Sequence, residues 1–278
     1  LQIRTSVTSN GTLLDDAALD RLVAAGVEGL RISIDGAADT HNRTRRSRIA
    51  PDTGCFFRVA EATKAAALRM PVHVITQINQ DNLHQLELLG RELKSFGVAA
   101  WRLQLAIPSN HMQQMRRPYV IAPEQLRQVA DFIERSRQND DAPPIEVTDT
   151  IGYCSRQELA LRGTEMPMMW LGCNAGVHHV SIGHSGRVNG CSALPIEFEA
   201  GSLHEESLMD IWRDGTRFGY VTEFDTARLS GGCSPCALGR LCRAGCRALA
   251  YATTGSIYEN RHCLRLLEAQ TLSNEAKA

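Results

Sequence analysis

Seven of the nine cysteines lie between Cys173 and Cys263, and this crowding constrains the chain more than any other feature. Twelve residues separate Cys173 from Gly186, and four more lead to Cys191. The run CSPCALGRLCRAGC then places Cys233, Cys236, Cys242 and Cys246 with two, five and three residues between them, and Cys263 closes the set. Short spacings let neighbouring thiolates turn in on one centre, and thiolates held together without a cation would repel. Seven ligands exceed one four-coordinate ion and nearly suffice for two, so the stretch predicts a two-centre metal or iron–sulfur site. Disulfides fit poorly, because the cysteine count is odd, the chain is large and the N-terminal LQIRTSVTSNG is no signal peptide. A reducing cytoplasm fits better.

The first 150 residues read as a parallel α/β sheet, with apolar runs suited to strands alternating with amphipathic helical stretches. Ile3–Val7 is the first expected strand, turning at Ser9-Asn10-Gly11 into a helix capped by Asp15 or Asp16 and ended by Gly26. Leu30–Ile34 follows and breaks at Asp35-Gly36. Helices over 55–69 and 83–96 lead to strands at Val72–Ile78 and Ala100–Ala106. Pro123 starts another helix, and Ile145–Thr148 is the last strand. At their C-terminal ends the strands carry polar pairs: Ser9 and Asn10, Ser33 and Asp35, Thr76 and Asn79, Arg102 and Gln104. In parallel α/β folds that edge binds ligands, although any one pair could equally make turns or caps. A closed eight-fold barrel needs about 250 residues, more than are available here.

A chain of 278 residues with 43% hydrophobic and 22% charged residues can bury a good core. The net charge of −1 gives no global basic field for nucleic acid, and no apolar run is long enough to span a membrane. Beyond Thr150, VHHVSIGHSGRVNGC reads as a hairpin turning at His184-Ser185-Gly186, which would return Cys191 towards Cys173. Leu208, Ile211 and Trp212 mark a short helix, Cys246 opens an alanine-rich helical run, and Cys263 begins the last helix. His178, His179, His184, His204 and His262 are ligands by type, but the cysteines already suffice. Cys55 reads as a small buried hydrophobe. Arg43, Arg45, Arg46 and Arg48 form either a solvated basic loop or a contact for a carboxylate.

The seven-cysteine pattern resembles the SPASM domain, the auxiliary-cluster module of radical SAM enzymes, over about residues 170–268. TSNG, SIDG, the run from His41 to Arg45, Gly54 with Phe56, and RLQLAIPSNHM resemble the middle and sixth strand of that family's partial barrel, which often has Asp where Asn42 stands. The resemblance implies an incomplete parallel (β/α) barrel over 1–150, with about four of six units, followed by a small cysteine-rich α+β cluster domain over 151–278. It implies two [4Fe–4S] clusters. Cys233, Cys236, Cys242 and Cys263 would hold one, while Cys246 crosses over to join Cys173 and Cys191 on the other. It also implies S-adenosylmethionine near Ser9, Asn10, Ser33, Asp35 and Gln104, a peptide or protein substrate, and a reductant such as flavodoxin or ferredoxin. The family's chemistry is reductive cleavage of S-adenosylmethionine to a radical that abstracts hydrogen. The stretch CSALPIEFEAGSLHEESLMDIW resembles the peptide maturases most, with sulfatase maturation and redox-cofactor biosynthesis as further options.

The sequence departs from the family at its front. The CxxxCxxC loop that carries the catalytic cluster and the glycine-rich GGE motif are both missing. Without an initiator Met, a chain cut before residue 1 is the expectation, with natural loss of the radical-generating centre as the alternative. Either way the chain alone is expected to be inactive. Two other functions compete: a zinc-stabilised binding module, since Cys-x2-Cys also serves zinc, and a non-catalytic iron–sulfur relative. The first cluster has no obvious fourth ligand. Upstream of Cys173 stand the thioethers of Met166 and Met168, poor ligands for iron. Either Cys154 swings in or one iron stays open.

Overall fold

The computed structural model describes residues 3–45, 54–108, 119–163 and 172–275. Five parallel strands form one sheet in simple sequential order: β1 (Ser6–Ser9), β2 (Gly29–Ser33), β3 (Val72–Ile78), β4 (Ala100–Leu105) and β5 (Ile145–Val147). Helices α1 (Asp16–Ala24), α2 (Ala38–Thr44), α3 (Phe56–Ala67), α4 (Leu86–Ser95) and α5 (Leu126–Asn139) connect them. This is the expected α/β class, an open parallel sheet with helical crossovers. Asp15 caps α1 by accepting from the Ala18 N–H at 2.8 Å. The expected helix over 83–96 begins as a tight 3-10 turn at Leu83–Gln85 before α4. β1 lies three residues later than expected, at the edge of the sheet, where its burial is weak and its apolar pattern faint.

The two faces of the sheet differ by strand parity. Leu30, Ile32, Val72, Val74, Trp101, Leu103 and Leu105 are buried among helical residues such as Val59, Leu89, Leu93, Val129 and Ile133. The register aligns Ser33, Ile75, Arg102 and Glu146 in one row, and Gln77 with Gln104 in the next, on the opposite, half-buried face. Thr76 is on the helix side. It donates to the Ile34 carbonyl at 2.6 Å and accepts from the Trp101 indole N–H at 2.8 Å, so it supports the core and is not part of the polar edge.

No local capping signal announces α2, which tertiary contacts hold in place. His41 is fully buried, sits edge-on to Phe56 with 5.7 Å between ring centroids, and accepts from the Asp35 N–H through Nδ1 at 3.3 Å. Asn42 Oδ1 accepts from the N–H groups of both Cys55 and Phe56 at 2.9 Å, capping α3. A Cβ at Gly54 would lie 2.1 Å from the Asn42 carboxamide, and the φ of +73° there also favours glycine. The HN…G…F motif is therefore a capping unit between two helices. Burial pulls the His41 pKa down to about 4. The unfolded chain takes up this proton near pH 6.5 and the folded chain does not, so stability is full above pH 6.5 and falls as pH drops towards 4. The shift corresponds to about 3 kcal/mol. His41→Gln should flatten the pH dependence of urea unfolding over that window, and an unchanged slope would exclude this source.

The second half follows without a break in the core, which continues through Ile151, Tyr153, Leu161, Cys246, Leu249, Leu264 and Leu267. Helix α6 (Glu158–Arg162) precedes a three-stranded antiparallel sheet of β6 (Ser181–Ile182), β7 (Arg187–Asn189) and β8 (Glu199–Ser202). Gly186 has φ +73° in the hairpin turn, as expected, and donates to the Gly183 carbonyl at 3.0 Å. α7 (Leu208–Arg213) covers this sheet with Ile211, and Phe218 from the following turn completes a small satellite core with Val188 and Ala200. The cysteine-rich run carries α8 (Gly239–Cys242) and α9 (Arg247–Thr254), and the chain ends in α10 (Leu264–Glu275). Among the described residues, no helix is long and apolar enough to cross a membrane.

Candidate functional site

The seven singled-out cysteines separate into two groups, with Cys246 parting from its neighbour Cys242. One partly open cavity, with about 310 Å³ of empty space counting the solvent at its mouth, is lined by Cys233, Cys236, Cys242 and Cys263 together with Cys154. Its geometry follows from local backbone. α8 ends at Cys242, and Arg243, Ala244 and Gly245 all take positive φ, so the chain reverses and presents Cys246 on another side. Cys246 is then the N-cap residue of α9. A Cβ on Gly245 would lie 2.7 Å from the Tyr153 ring, so the reversal requires glycine there.

Cys173, Cys191 and Cys246 make the second group. Burial first, and then the neighbouring Cys173 thiolate, push Cys246 up to about 12. Cys191 is raised by the same two effects. Burial also pushes Cys263 up to about 12, with Cys233 and Cys236 adding to the rise. Thiols this buried stay protonated until a cation compensates them, so metal loading must release protons. Among the described residues, no three His, Cys, Asp or Glu converge closely enough for a single metal ion. Cys233, Cys236, Cys242 and Cys263 instead line a cavity, an arrangement that suits a multi-iron cluster.

Cys154 stands in the Cys242 cavity, away from the Cys173 group, and shares a hydrogen bond with Cys242 that makes Cys154 the more easily ionised of the two. Of the two expected outcomes for the first centre, Cys154 swinging in or one iron left open, this structure places Cys154 in the lining of the other cavity. Cys154→Ala should alter the spectrum of the cluster in its own cavity and leave the Cys173–Cys191–Cys246 centre unchanged; the opposite pattern would overturn this placement. Met166 and Met168 lie outside the described residues. Near the first centre the uncommitted acid is Asp149, just past β5. Its carbonyl accepts from Tyr153 Oη at 2.7 Å, and that oxygen accepts from the Cys246 N–H at 3.2 Å. The Asp149 carboxylate acts electrostatically on both Cys191 and Cys246.

The polar edge is only partly assembled. Ser33 and Gln104 lie half-buried on the polar sheet face, where Glu146 pairs with Arg102 at 2.7 Å and His73 at 3.0 Å. Asp35 is 3% exposed and already committed, accepting from the Gln77 N–H at 2.9 Å and the Arg45 Nε–H at 2.6 Å. It orders the edge. Ser9 pairs in register with Ile32 on the helix side, and its hydroxyl accepts from the Gly11 N–H at 3.0 Å. Asn10 accepts from the Thr12 N–H at 3.1 Å. Both make turns in this structure. Arg45 is the Asp35 partner rather than a solvated loop residue, and Arg46 and Arg48 lie outside the described residues. Of the histidines, His262 is buried, with its Nε2 2.9 Å from the Ile121 carbonyl.

Donors around the first centre test whether a cluster fits there. Tyr220 Oη is buried beside the Gly190 N–H, and no protein acceptor takes its proton. Cys173 and Cys191 both act on this phenol, which burial raises to about 12. Arg247 Nε and Nη2 are likewise buried without partners among the described residues, and Cys173 acts on the guanidinium electrostatically. Buried donors without acceptors among the described residues, one of them on the residue after Cys246, suit a sulfur-rich anionic group, and the residues fit one.

Residues 173–237 match the SPASM family, described as an iron–sulfur cluster-binding domain. An AdoMet-dependent heme synthase of Methanosarcina barkeri is 27% identical over 94% of this chain and 74% of its own length. A PqqA peptide cyclase of Granulibacter bethesdensis is 25% identical over 92% of this chain and 65% of its own length. Among solved structures, native anSMEcpe with bound AdoMet and Kp18Cys peptide superposes with a TM-score of 0.67 at 16% identity, over 100% of this chain and 76% of that one. The fold is thus the partial barrel of the radical SAM proteins, with a cluster-binding module behind it. Over residues 173–237 the chain carries a SPASM domain, and over nearly its whole length it is similar to radical SAM proteins.

Proposed function

We propose that this chain is the cluster-bearing portion of an enzyme that modifies a peptide or protein. The separation of the thiols into two groups, with Cys246 crossing to Cys173 and Cys191, is the observation that carries this reading. Cys233, Cys236, Cys242 and Cys263 would hold one [4Fe–4S] cluster, and Cys173, Cys191 and Cys246 the other. Such clusters supply one-electron transfer and, at an iron without a protein ligand, a position for substrate. No cysteine remains to complete the first centre, which leaves its last position to a substrate atom or to Asp149. S-adenosylmethionine would lie along the polar sheet face, with Ser33 and Gln104 touching it, Asp35 ordering the edge, and Ser9 and Asn10 shaping the first turn. A flavodoxin- or ferredoxin-type reductant in the cytoplasm completes the reading.

The peptide substrate draws support from the PqqA peptide cyclase and from the structure of SuiB bound to precursor peptide SuiA. The heme synthase relatives favour a second reading, in which the substrate is a porphyrin. Titrating the anaerobically loaded chain with precursor peptides and with an iron porphyrin separates them. Under the first reading a peptide perturbs the electron paramagnetic resonance spectrum of the Cys173 centre. A perturbation by porphyrin alone would reverse the choice.

A further inference from the structure

Arg247 follows Cys246 at the start of α9 and is completely buried. Its surroundings account for only part of the guanidinium. Nη1 donates to the Arg243 carbonyl at 3.0 Å, and the Phe224 ring lies under the group at 3.9 Å. Nε and Nη2 have no partner, and among the described residues no carboxylate forms an ion pair with it. Cys173, and more weakly Tyr258 and Tyr220, favour its charged form electrostatically, while the Arg243 guanidinium opposes it. A buried, unpaired cation is costly, and arginine cannot shed its charge as lysine can. Tyr220 repeats the pattern, with a buried hydroxyl that finds no acceptor among the described residues and on which Cys173 and Cys191 act electrostatically. The position of this hydroxyl is fixed: a Cβ at Gly190 would fall 2.0 Å from it, so only glycine before Cys191 lets the phenol approach.

We propose that Arg247 is the built-in counter-charge of the Cys173–Cys191–Cys246 cluster and that, with Tyr220, it sets that cluster's reduction potential. The inference rests on the reading of these cysteines as cluster ligands. An iron–sulfur centre held by thiolates gains a negative charge when it accepts one electron. A fixed cation and donors aimed at its sulfurs stabilise the reduced state and raise its potential. Neither Arg247 nor Tyr220 lines the Cys154–Cys242 cavity, so the two clusters should differ in potential for this reason.

The test is a mediated redox titration of the anaerobically loaded chain, followed by electron paramagnetic resonance, for wild type, Arg247→Met, Arg247→Lys and Tyr220→Phe. With iron and sulfide content unchanged, Arg247→Met should move the first cluster to a more negative potential and leave the second in place. Arg247→Lys keeps the charge and should recover most of the shift. A tenfold loss in the one-electron equilibrium reads as about 59 mV. If Arg247→Met fails to load the first cluster, Tyr220→Phe decides, because it should shift the same cluster in the same direction by less. An unmoved first cluster in loaded Arg247→Met, or in Tyr220→Phe when Arg247→Met does not load, overturns the inference, as do equal shifts in both clusters. Wild-type protein that binds no iron–sulfur cluster overturns the underlying reading instead.

Discussion

Replacing Cys246 by Ser is expected to remove the first cluster and spare the second, and Cys236→Ser is expected to do the reverse. Only three residues separate Cys242 from Cys246 in the chain, and by spacing alone both would go to one centre. The left-handed conformations at Arg243 and Ala244, followed by Gly245, send them apart. Cys242 lines the cavity with Cys233, Cys236 and Cys263, whereas Cys246 responds to Cys173 and Cys191. Each variant should therefore lose about half the iron, about four atoms per chain, and one of two overlapping spectra. If both variants lose the same signal, the crossover is wrong.

Purified 1–278 reduced with dithionite in the presence of S-adenosylmethionine is expected to release no 5′-deoxyadenosine above the blank. A three-cysteine loop leaves one iron free to chelate the cofactor's amino and carboxylate groups, and the sequence of this chain contains no CxxxCxxC. Cys55 is buried beside Phe56, its pKa raised by burial, and Cys154 belongs to the cavity. Neither substitutes for the loop. Release of 5′-deoxyadenosine by this chain alone would show a third redox centre that the present assignment lacks.

The elements most legible in the sequence were those whose burial is local. Val72–Ile78 is rich in β-branched residues that alternate about the sheet, and its expected and observed bounds agree. The hairpin around Gly186 was legible because a positive φ leaves few residue choices. Helix α2 was not, because long-range contacts of His41 and Asp35 hold it and no cap marks it. Ser9 and Thr76 looked like edge residues, and only strand register shows that both face the helices. His73, Gln77 and Glu146 escaped notice although they alternate with apolar neighbours, a period-two signal that could have found them. Cysteine spacing supports an expectation of two centres, but Cys154 lies outside that spacing and meets Cys242 only through the fold. Nothing local distinguishes Arg247 from a surface arginine on an alanine-rich helix; only tertiary packing, with the Phe224 ring against the guanidinium, buries it.

The most direct test of the central claim is metal and sulfide analysis of the anaerobically reconstituted chain, read with its visible and Mössbauer spectra. Two clusters require about eight iron and about eight acid-labile sulfides per chain, in brown protein whose spectra resolve two cubane environments. Colourless protein containing about one or two zinc ions and no labile sulfide would contradict the account and return the module to a zinc-stabilised binding domain.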